Sequence, residues 1–198
     1  MIEPALKHVI GVDEAGRGPL AGPVIACAVI LDTPIAGLTD SKKCTPKKRL
    51  QLVEQIQKHA IAYAYGEANV GEIDGLNIHH ATLLAMKRAV EQIQHQGQQV
   101  VIDGCFAPEL SLPTQTIVQG DLHHASISAA SILAKVARDQ LMIEYDAQYP
   151  QYAFAKHKGY GTAIHMTALR EHGPCAIHRQ SFAPIQQALR RKTESTVE

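Results

Sequence analysis

Three short apolar runs in this chain lead to acidic residues, and that pattern limits the folds open to it. Val9 to Val12 leads into Asp13-Glu14, Val100-Val101-Ile102 into Asp103-Gly104, and Thr116-Ile117-Val118 toward Gly120-Asp121. Short, fully apolar runs mark strands covered on both faces of a sheet. In an open α/β sheet, functional groups gather where strand ends converge. If these strands are neighbours, the carboxylates Asp13, Glu14, Asp103 and Asp121 meet at one edge. Such a group repels itself unless protons or cations neutralise it. Mg²⁺ and Mn²⁺ prefer hard oxygen ligands and suit it. Two such ions, about 3.5–4 Å apart, are the arrangement that serves phosphodiester cleavage. Each piece also has a plainer reading, since Asp-Gly after a strand is a common turn and an acidic pair can cap a loop. The repetition is what points to metal-dependent phosphoryl chemistry.

The rest of the chain reads as strands first, then strand–helix alternation. Residues 8–13 and 22–31 form a hairpin around the Gly16-Arg17-Gly18 loop, and Ile61 to Ala68 adds a third strand. Thr45-Pro46 is an N-cap with proline at the first helical position, followed by a helix with Leu50, Val53 and Ile56 as its apolar stripe. Gly71 to Asn77 is a turn or short helix. Leu83, Met86, Val90 and Ile93 then mark an amphipathic helix ending near Gly97. Ile127, Ala130, Ala134, Ala137, Leu141 and Tyr145 mark a long helix with a small-residue face, and short helices are expected near 164–172 and 184–191. Together these predict an α/β domain built on a mixed sheet with a helical C-terminal extension. It spans 1–192 as a single unit, with 193–198 a polar tail.

Composition adds exclusions. A chain of 198 residues suits one domain with a sizeable core. No apolar run approaches the roughly 20 residues of a membrane span, and the first residues lack a signal-peptide layout, so a cytoplasmic location is expected. Cys27, Cys44, Cys105 and Cys175 form no Cys-x-x-Cys pair and read as reduced thiols. Formal charge is zero, without the global basic signature of a nucleic-acid binder. Positive charge is nevertheless concentrated at Lys42, Lys43, Lys47, Lys48 and Arg49, and again at Lys156-His157-Lys158. The doublets His79-His80 and His123-His124 have no zinc-type spacing with cysteine and read as structural or surface residues.

Taken together, these segments resemble the bacterial ribonucleases HII (type 2 ribonucleases H). The resemblance is carried by residues 11–23 (Gly11-Val12-Asp13-Glu14-Ala15-Gly16-Arg17-Gly18 and onward to Pro23), Asp40-Ser41-Lys42-Lys43, and Ile73-Asp74-Gly75-Leu76-Asn77-Ile78. It continues through Ile102-Asp103-Gly104, Gly120-Asp121, residues 126–139, His157-Lys158-Gly159-Tyr160-Gly161-Thr162 and His178-Arg179-Gln180-Ser181-Phe182. The order is the family's and nearly the whole chain is covered. Three positions depart from its usual pattern: His123 and His124 after Asp121, and Ser128 where alanine is common.

The resemblance implies a ribonuclease H-like fold, a mixed five-stranded sheet flanked by helices. It implies a monomeric endoribonuclease acting on the RNA strand of RNA–DNA hybrids and on single ribonucleotides embedded in duplex DNA. Cleavage would fall 5′ of the ribonucleotide and leave 3′-hydroxyl and 5′-phosphate ends. Two Mg²⁺ or Mn²⁺ ions would be held by Asp13, Glu14, Asp103 and Asp121. Gly16, Arg17 and Gly18 would read the ribose 2′-hydroxyl and a phosphate, Tyr160 would face the neighbouring sugar, and Lys42 and Lys43 would contact phosphates, with Lys156 and Lys158 as helpers. Read alone, the glycine loop is a plain hairpin turn. Ribonuclease HIII, a Mg²⁺-dependent phosphatase and a non-catalytic hybrid-binding module are the rivals. The first normally carries an extra N-terminal domain, and the second needs an Asp-x-Asp that Asp13-Glu14-Ala15 does not supply. The module has little need for four acids.

Overall fold

A computed structural model describes residues 8–33, 35–38 and 44–194. Its centre is β1 (Val9–Ala15), paired antiparallel with β2 (Val24–Leu31), which pairs antiparallel with β3 (Ala60–Ala68). On its other side β1 runs parallel to β4 (Gln99–Asp103), and β4 runs parallel to β5 (Thr114–Ile117). The result is a five-stranded mixed sheet in the order β3-β2-β1-β4-β5. Every residue of β2 is buried, as its continuous apolar sequence requires. β5 differs from expectation. The run at Thr116–Val118 reads as an interior strand, but β5 is an edge strand, its Thr and Gln residues are exposed, and Val118 lies beyond it at the surface.

Helices cover both faces. One face carries α2 (Val70–Ile93), whose Ala81, Ala85, Met86, Ala89, Val90 and Ile93 pack on Ile10, Val12, Val24, Ala26, Ala28 and Ile30. Gly71 to Asn77 forms the first turns of this helix. The backbone breaks at Asn77 (φ 66°, ψ 164°), and its side-chain oxygen caps the restart by accepting from the N–H groups of His79 and His80. The other face carries α1 (Pro46–His59) and α4 (Ala125–Gln148). Thr45 caps α1 as the sequence indicates, accepting from the Lys48 N–H. The stripe that α1 buries is Leu52 and Ile56 with Val53 beside them, whereas Leu50 is exposed.

α4 lies unusually close to the sheet. A Cβ on Gly11 would stand 2.2 Å from the main-chain carbon of Ser126 and 2.4 Å from the nitrogen of Ile127. Glycine in β1 and the run Ala125-Ser126-Ile127-Ser128-Ala129-Ala130 in α4 therefore form one matched contact, which seats the start of the helix on the central strand. Ser128 is fully buried there.

The C-terminal part adds α5 (Phe154–His157), α6 (Ala163–His172) and α7 (Ala183–Glu194), with a single 3-10 turn at Pro150–Tyr152 before them. α7 continues past the expected end near Arg191. These elements share a third apolar core with the β1–β2 loop: Leu20 and Ala21 pack with Met142, Phe154, Leu169 and Ile185. Main-chain bonds close the contact, from Leu20 N–H to Gly159 O (2.8 Å), Gly22 N–H to Ile177 O (2.8 Å) and Arg179 N–H to Leu20 O (2.9 Å).

Candidate active site

Parallel pairing brings the acids of β1 and β4 to one end of the sheet. Val12 stands opposite Ile102, and Asp13 and Asp103 are the next residues on each strand. Both strands extend further than the sequence indicates. β1 carries Asp13 and Glu14 within it, opposite Cys27 and Ala26 of β2, and β4 includes Asp103. The pleat roots the acidic pair on opposite faces, because successive strand residues alternate, although the two carboxyls still meet at the strand end. Asp13 shares the α4 face with Gly11, and Glu14 shares the α2 face with Ile10 and Val12. Asp121 arrives by another route. Gln119 turns through left-handed backbone (φ 57°) into α3 (Gly120–His123), which buries Asp121 in its first turn. The Gly120 N–H donates to Asp103 Oδ1 at 2.7 Å and ties the two acidic segments together.

The electrostatics follow from burial. Asp13 is only 6% exposed, and desolvation pushes its carboxyl well above the usual carboxylate range, with the charges of Glu14 and Asp103 pushing further. Hydrogen bonds from the Ser131 side chain and from the Glu14 N–H (2.7 Å to Oδ1) pull against this. Burial raises Glu14 as well, and Asp103 adds to it. Arg17, with Nη1 3.4 Å from Glu14 Oε1, opposes that rise. Carboxylates held this way favour a proton or a cation beside them.

A cavity of about 370 Å³ opens over these groups. Asp13, Glu14 and Asp103 line it together with Gly16, Arg17, Gly18 and Tyr160, so residues far apart in sequence share one surface. Tyr160 is 46% exposed, and a Cβ on Gly18 would lie 3.6 Å from its ring. Asp121 is not part of that lining; it is buried on α3, next to the Gly120 whose N–H binds Asp103. Among the described residues no three acids, imidazoles or thiols are already gathered as a coordination shell.

Two arginines that sequence reasoning passed over hold the glycine loop. Arg138 and Arg179 are 1% and 0% exposed, and both are spent on main-chain carbonyls. Arg138 donates to Pro23 O, Ala21 O and Lys158 O, each at 3.0 Å. Arg179 donates to Gly22 O (2.9 Å), Arg17 O (2.9 Å), Gly16 O (2.5 Å) and Pro23 O (3.2 Å). Burial lowers Arg138 to about 10, and burial with the nearby Arg138 charge lowers Arg179 to about 9, so both remain cationic at neutral pH. One signal was available for Arg138, which falls on the buried stripe Ser131, Ala134, Arg138, Met142 of α4, where a charge is out of place. Asp74 was missed too. Its carboxylate accepts from Gln180 N–H (2.9 Å), Ser181 N–H (2.8 Å) and Ser181 Oγ (2.6 Å), joining the start of α2 to the segment after Arg179.

This arrangement of segments has known counterparts. The sequence profile of the family described as Ribonuclease HII matches residues 10–185, nearly all of the chain. The chain belongs to the ribonuclease HII family. Ribonuclease HII of Verminephrobacter eiseniae is 56% identical over 183 residues, covering 91% of this chain and 88% of the relative. That of Burkholderia pseudomallei is 57% identical over 182 residues, covering 91% and 85%. At that similarity across the whole domain the protein is a ribonuclease H, a hydrolase of the nuclease class. More distant solved structures share the fold. Ribonuclease H2 of Pyrococcus horikoshii superposes with a TM-score of 0.73 at 21% identity, covering 94% of this chain and 99% of that one. Bst-RNase HIII, solved in complex with Mn²⁺, gives 0.73 at 17%, covering 95% and 71%.

The remaining expected residues divide. Lys42 and Lys43 of this ribonuclease HII lie outside the described residues. Lys156 is exposed, but the Lys158 ammonium turns back to the Ala155 carbonyl of its own turn. His79 sets its ring against the exposed Phe106 edge-on, with centroids 4.8 Å apart. His123 is exposed and His124 is buried at the junction of α3 and α4. The four cysteines are free thiols. Among the described residues no helix is long and apolar enough to cross a membrane.

Proposed function

We propose that this ribonuclease HII hydrolyses the RNA strand of RNA–DNA hybrids and cuts 5′ of single ribonucleotides embedded in duplex DNA, leaving 3′-hydroxyl and 5′-phosphate ends. The observation that carries this reading is the shared cavity. Acids, an arginine between two glycines and an exposed tyrosine line one surface, which matches the parts needed to hold a phosphate, a ribose and the neighbouring sugar. Glycine at 16 and 18 leaves peptide groups open to a 2′-hydroxyl, which both donates and accepts. Gly16 adopts φ +101°, and a Cβ there would strike Arg138 Nε at 2.0 Å, so only glycine supplies the backbone of this turn, whose Gly16 carbonyl Arg179 holds from beneath. Arg17, 49% exposed beside Glu14, can swing its forked guanidinium to a phosphate. Tyr160 would stack on the adjoining deoxyribose, where a second 2′-hydroxyl would crowd it. Lys42 and Lys43 would add sequence-independent phosphate contacts.

The donor set fits divalent ions. Asp13, Glu14, Asp103 and Asp121 offer hard oxygens, and the Asp13 and Glu14 carboxyls, raised first by burial and then by neighbouring acids, are groups whose ionised form a cation would favour. We assign these four acids to two Mg²⁺ or Mn²⁺ ions. When bound, the ions supply charge neutralisation at the phosphate and activation of water. The chain's own part is to keep the acids at the strand ends, with the Gly120 N–H holding Asp103 and Ser131 holding Asp13. The free thiols fit a reducing cytoplasmic setting, and we take the enzyme to act there as a monomer.

A duplex DNA with one embedded ribonucleotide tests the reading. Mg²⁺-dependent cleavage on its 5′ side, lost in Asp13→Asn, is expected. Binding without cleavage by the parent enzyme would sink the proposal.

A further inference from the structure

Behind the Tyr160 loop lies a group of buried imidazoles to which the proposed chemistry gives no role. His165 and His178 are 0% and 1% exposed, and His157 stacks on His165 with ring centroids 4.5 Å apart. Their ring nitrogens form a line. The Cys175 N–H donates to His178 Nδ1 at 2.9 Å, and the Cys175 sulfur lies 3.1 Å from the same nitrogen. His178 Nε2 is 2.9 Å from His165 Nε2, and His165 Nδ1 is 3.0 Å from the Tyr160 carbonyl oxygen.

The two ends of the line settle where its hydrogens sit. A carbonyl oxygen only accepts, so His165 carries its hydrogen on Nδ1. A main-chain N–H only donates, so His178 Nδ1 is bare. A neutral imidazole has one N–H. His178 therefore carries its hydrogen on Nε2 and donates to the bare Nε2 of His165. This arrangement satisfies every group and leaves both rings neutral. An added proton on either ring would set two donors face to face. Burial accordingly lowers both imidazoles to about 4. His157 stands outside the line, donating from Nε2 to Tyr152 O (2.8 Å) and accepting the Gly159 N–H at Nδ1 (3.2 Å).

The line ends on a residue whose own N–H already donates to the His157 carbonyl at 3.0 Å, so its carbonyl is the group left for the line to fix. Tyr160 lies between Gly159 (φ +83°) and Gly161, and its ring is half exposed. Its carbonyl accepts two bonds, one from the Thr162 N–H at 2.8 Å and one from His165. We infer that His178 and His165 are positioning residues for substrate selection: they fix the Tyr160 carbonyl and so aim its ring at the sugar beside the ribonucleotide. The inference rests on the reading of Tyr160 as substrate-facing.

Two measurements test it. Long-range ¹H–¹⁵N spectra of the parent enzyme at pH 7 should show His165 as the Nδ1–H tautomer and His178 as the Nε2–H tautomer. A charged His165, or one protonated on Nε2 alone, overturns the inference. The second test compares His165→Asn with His165→Gln. An asparagine amide reaches the place of Nδ1 and keeps the bond to Tyr160, whereas a glutamine amide reaches the place of Nε2 and keeps only the bond to His178. The readout is kcat/KM on a single-ribonucleotide duplex divided by kcat/KM on a hybrid, with melting curves confirming that both variants fold.

His165→Gln should lower that ratio roughly fivefold, the scale of one hydrogen bond. It should also speed hydrogen exchange at Gly161 and Thr162. His165→Asn should retain most of the selectivity and the slow exchange. Tyr160→Ala should lower the ratio in the same direction, and adding His165→Gln to it should lower it no further. Equal effects of the Asn and Gln variants, as a packing role demands, overturn the inference. If Tyr160→Ala leaves the ratio unchanged, the substrate-facing reading of Tyr160 fails and the inferred aim fails with it. The spectra and the exchange rates then still decide whether the line holds the loop.

Discussion

Arg179 reaches back across the chain to place Nη2 2.5 Å from the carbonyl oxygen of Gly16. With Arg138 it binds the loop that carries Arg17 from beneath, entirely through carbonyls. Lysine offers a compact ammonium in place of a planar fork and cannot serve carbonyls spread in this way. Arg179→Lys should therefore leave buried carbonyls unsatisfied and cost about 2–4 kcal/mol. Urea unfolding measures that loss, and KM for any cleaved substrate should rise as the loop loosens. An unchanged midpoint would show that the loop holds itself.

The Gly11–Ser126 contact yields a sharper structural test. A methyl on Gly11 would meet main-chain atoms at 2.2 and 2.4 Å, and main chain cannot rotate out of the way as a side chain can. Gly11→Ala should push the start of α4 off β1 and destabilise the fold by about 3 kcal/mol or more. Since α3 and Asp121 lie just ahead of α4, activity should fall further than stability alone requires. A thermal midpoint within a degree of the parent's would refute the close packing.

His165 and His178 set a direction for acid stability. Each has an ordinary value of 6.5 and is lowered to about 4 by burial, with the neighbouring His157 contributing at both. Tyr152, Cys175 and the Tyr160 carbonyl face them, and none of these supplies a negative charge at neutral pH. Between pH 6.5 and 4 the unfolded chain binds protons that the folded chain refuses, so stability falls as pH falls through that window. Melting temperature should drop steadily from pH 7 to 5, and a variant lacking both imidazoles should show a shallower slope. Equal slopes would place the pH dependence elsewhere.

The legible part of this molecule was whatever short-range pattern dictates. The apolar runs gave β1, β2 and β4, and Thr45-Pro46 gave the start of α1, because strand burial and helix capping are local. β5 was misplaced as interior because an apolar triplet carries no record of how many neighbours its strand acquires. The attachment of Asp13 and Glu14 to opposite faces was hidden by an apolar run that stops at Val12, three residues before β1 ends; such a run cannot apply the pleat to the two acids that follow it. Arg138, Arg179 and the His178–His165 pair were the least legible. Most of the arginines' partners are carbonyls over a hundred residues away, the two imidazoles come together from separate segments, and a main-chain acceptor has no residue identity to read.

Asp13 supplies the decisive test of the acidic site. Burial, then Glu14 and Asp103, raises its carboxyl, so the folded chain holds a proton more tightly than the unfolded chain. As pH climbs from the ordinary carboxylate range through that raised value, the ionised group becomes a growing cost to the fold. Without a counterion at pH 7 the charge at position 13 is therefore destabilising. Asp13→Asn removes it at nearly constant shape, so in chelator the variant should melt higher than the parent. Adding Mg²⁺ or Mn²⁺ should raise the parent's melting temperature, since the ion binds the folded state, and should move the variant much less. Cleavage by the variant should fall by at least about 100-fold, or about 2.7 kcal/mol of barrier. A variant that melts lower in chelator and responds to metal as the parent does would remove Asp13 from the proposed metal site.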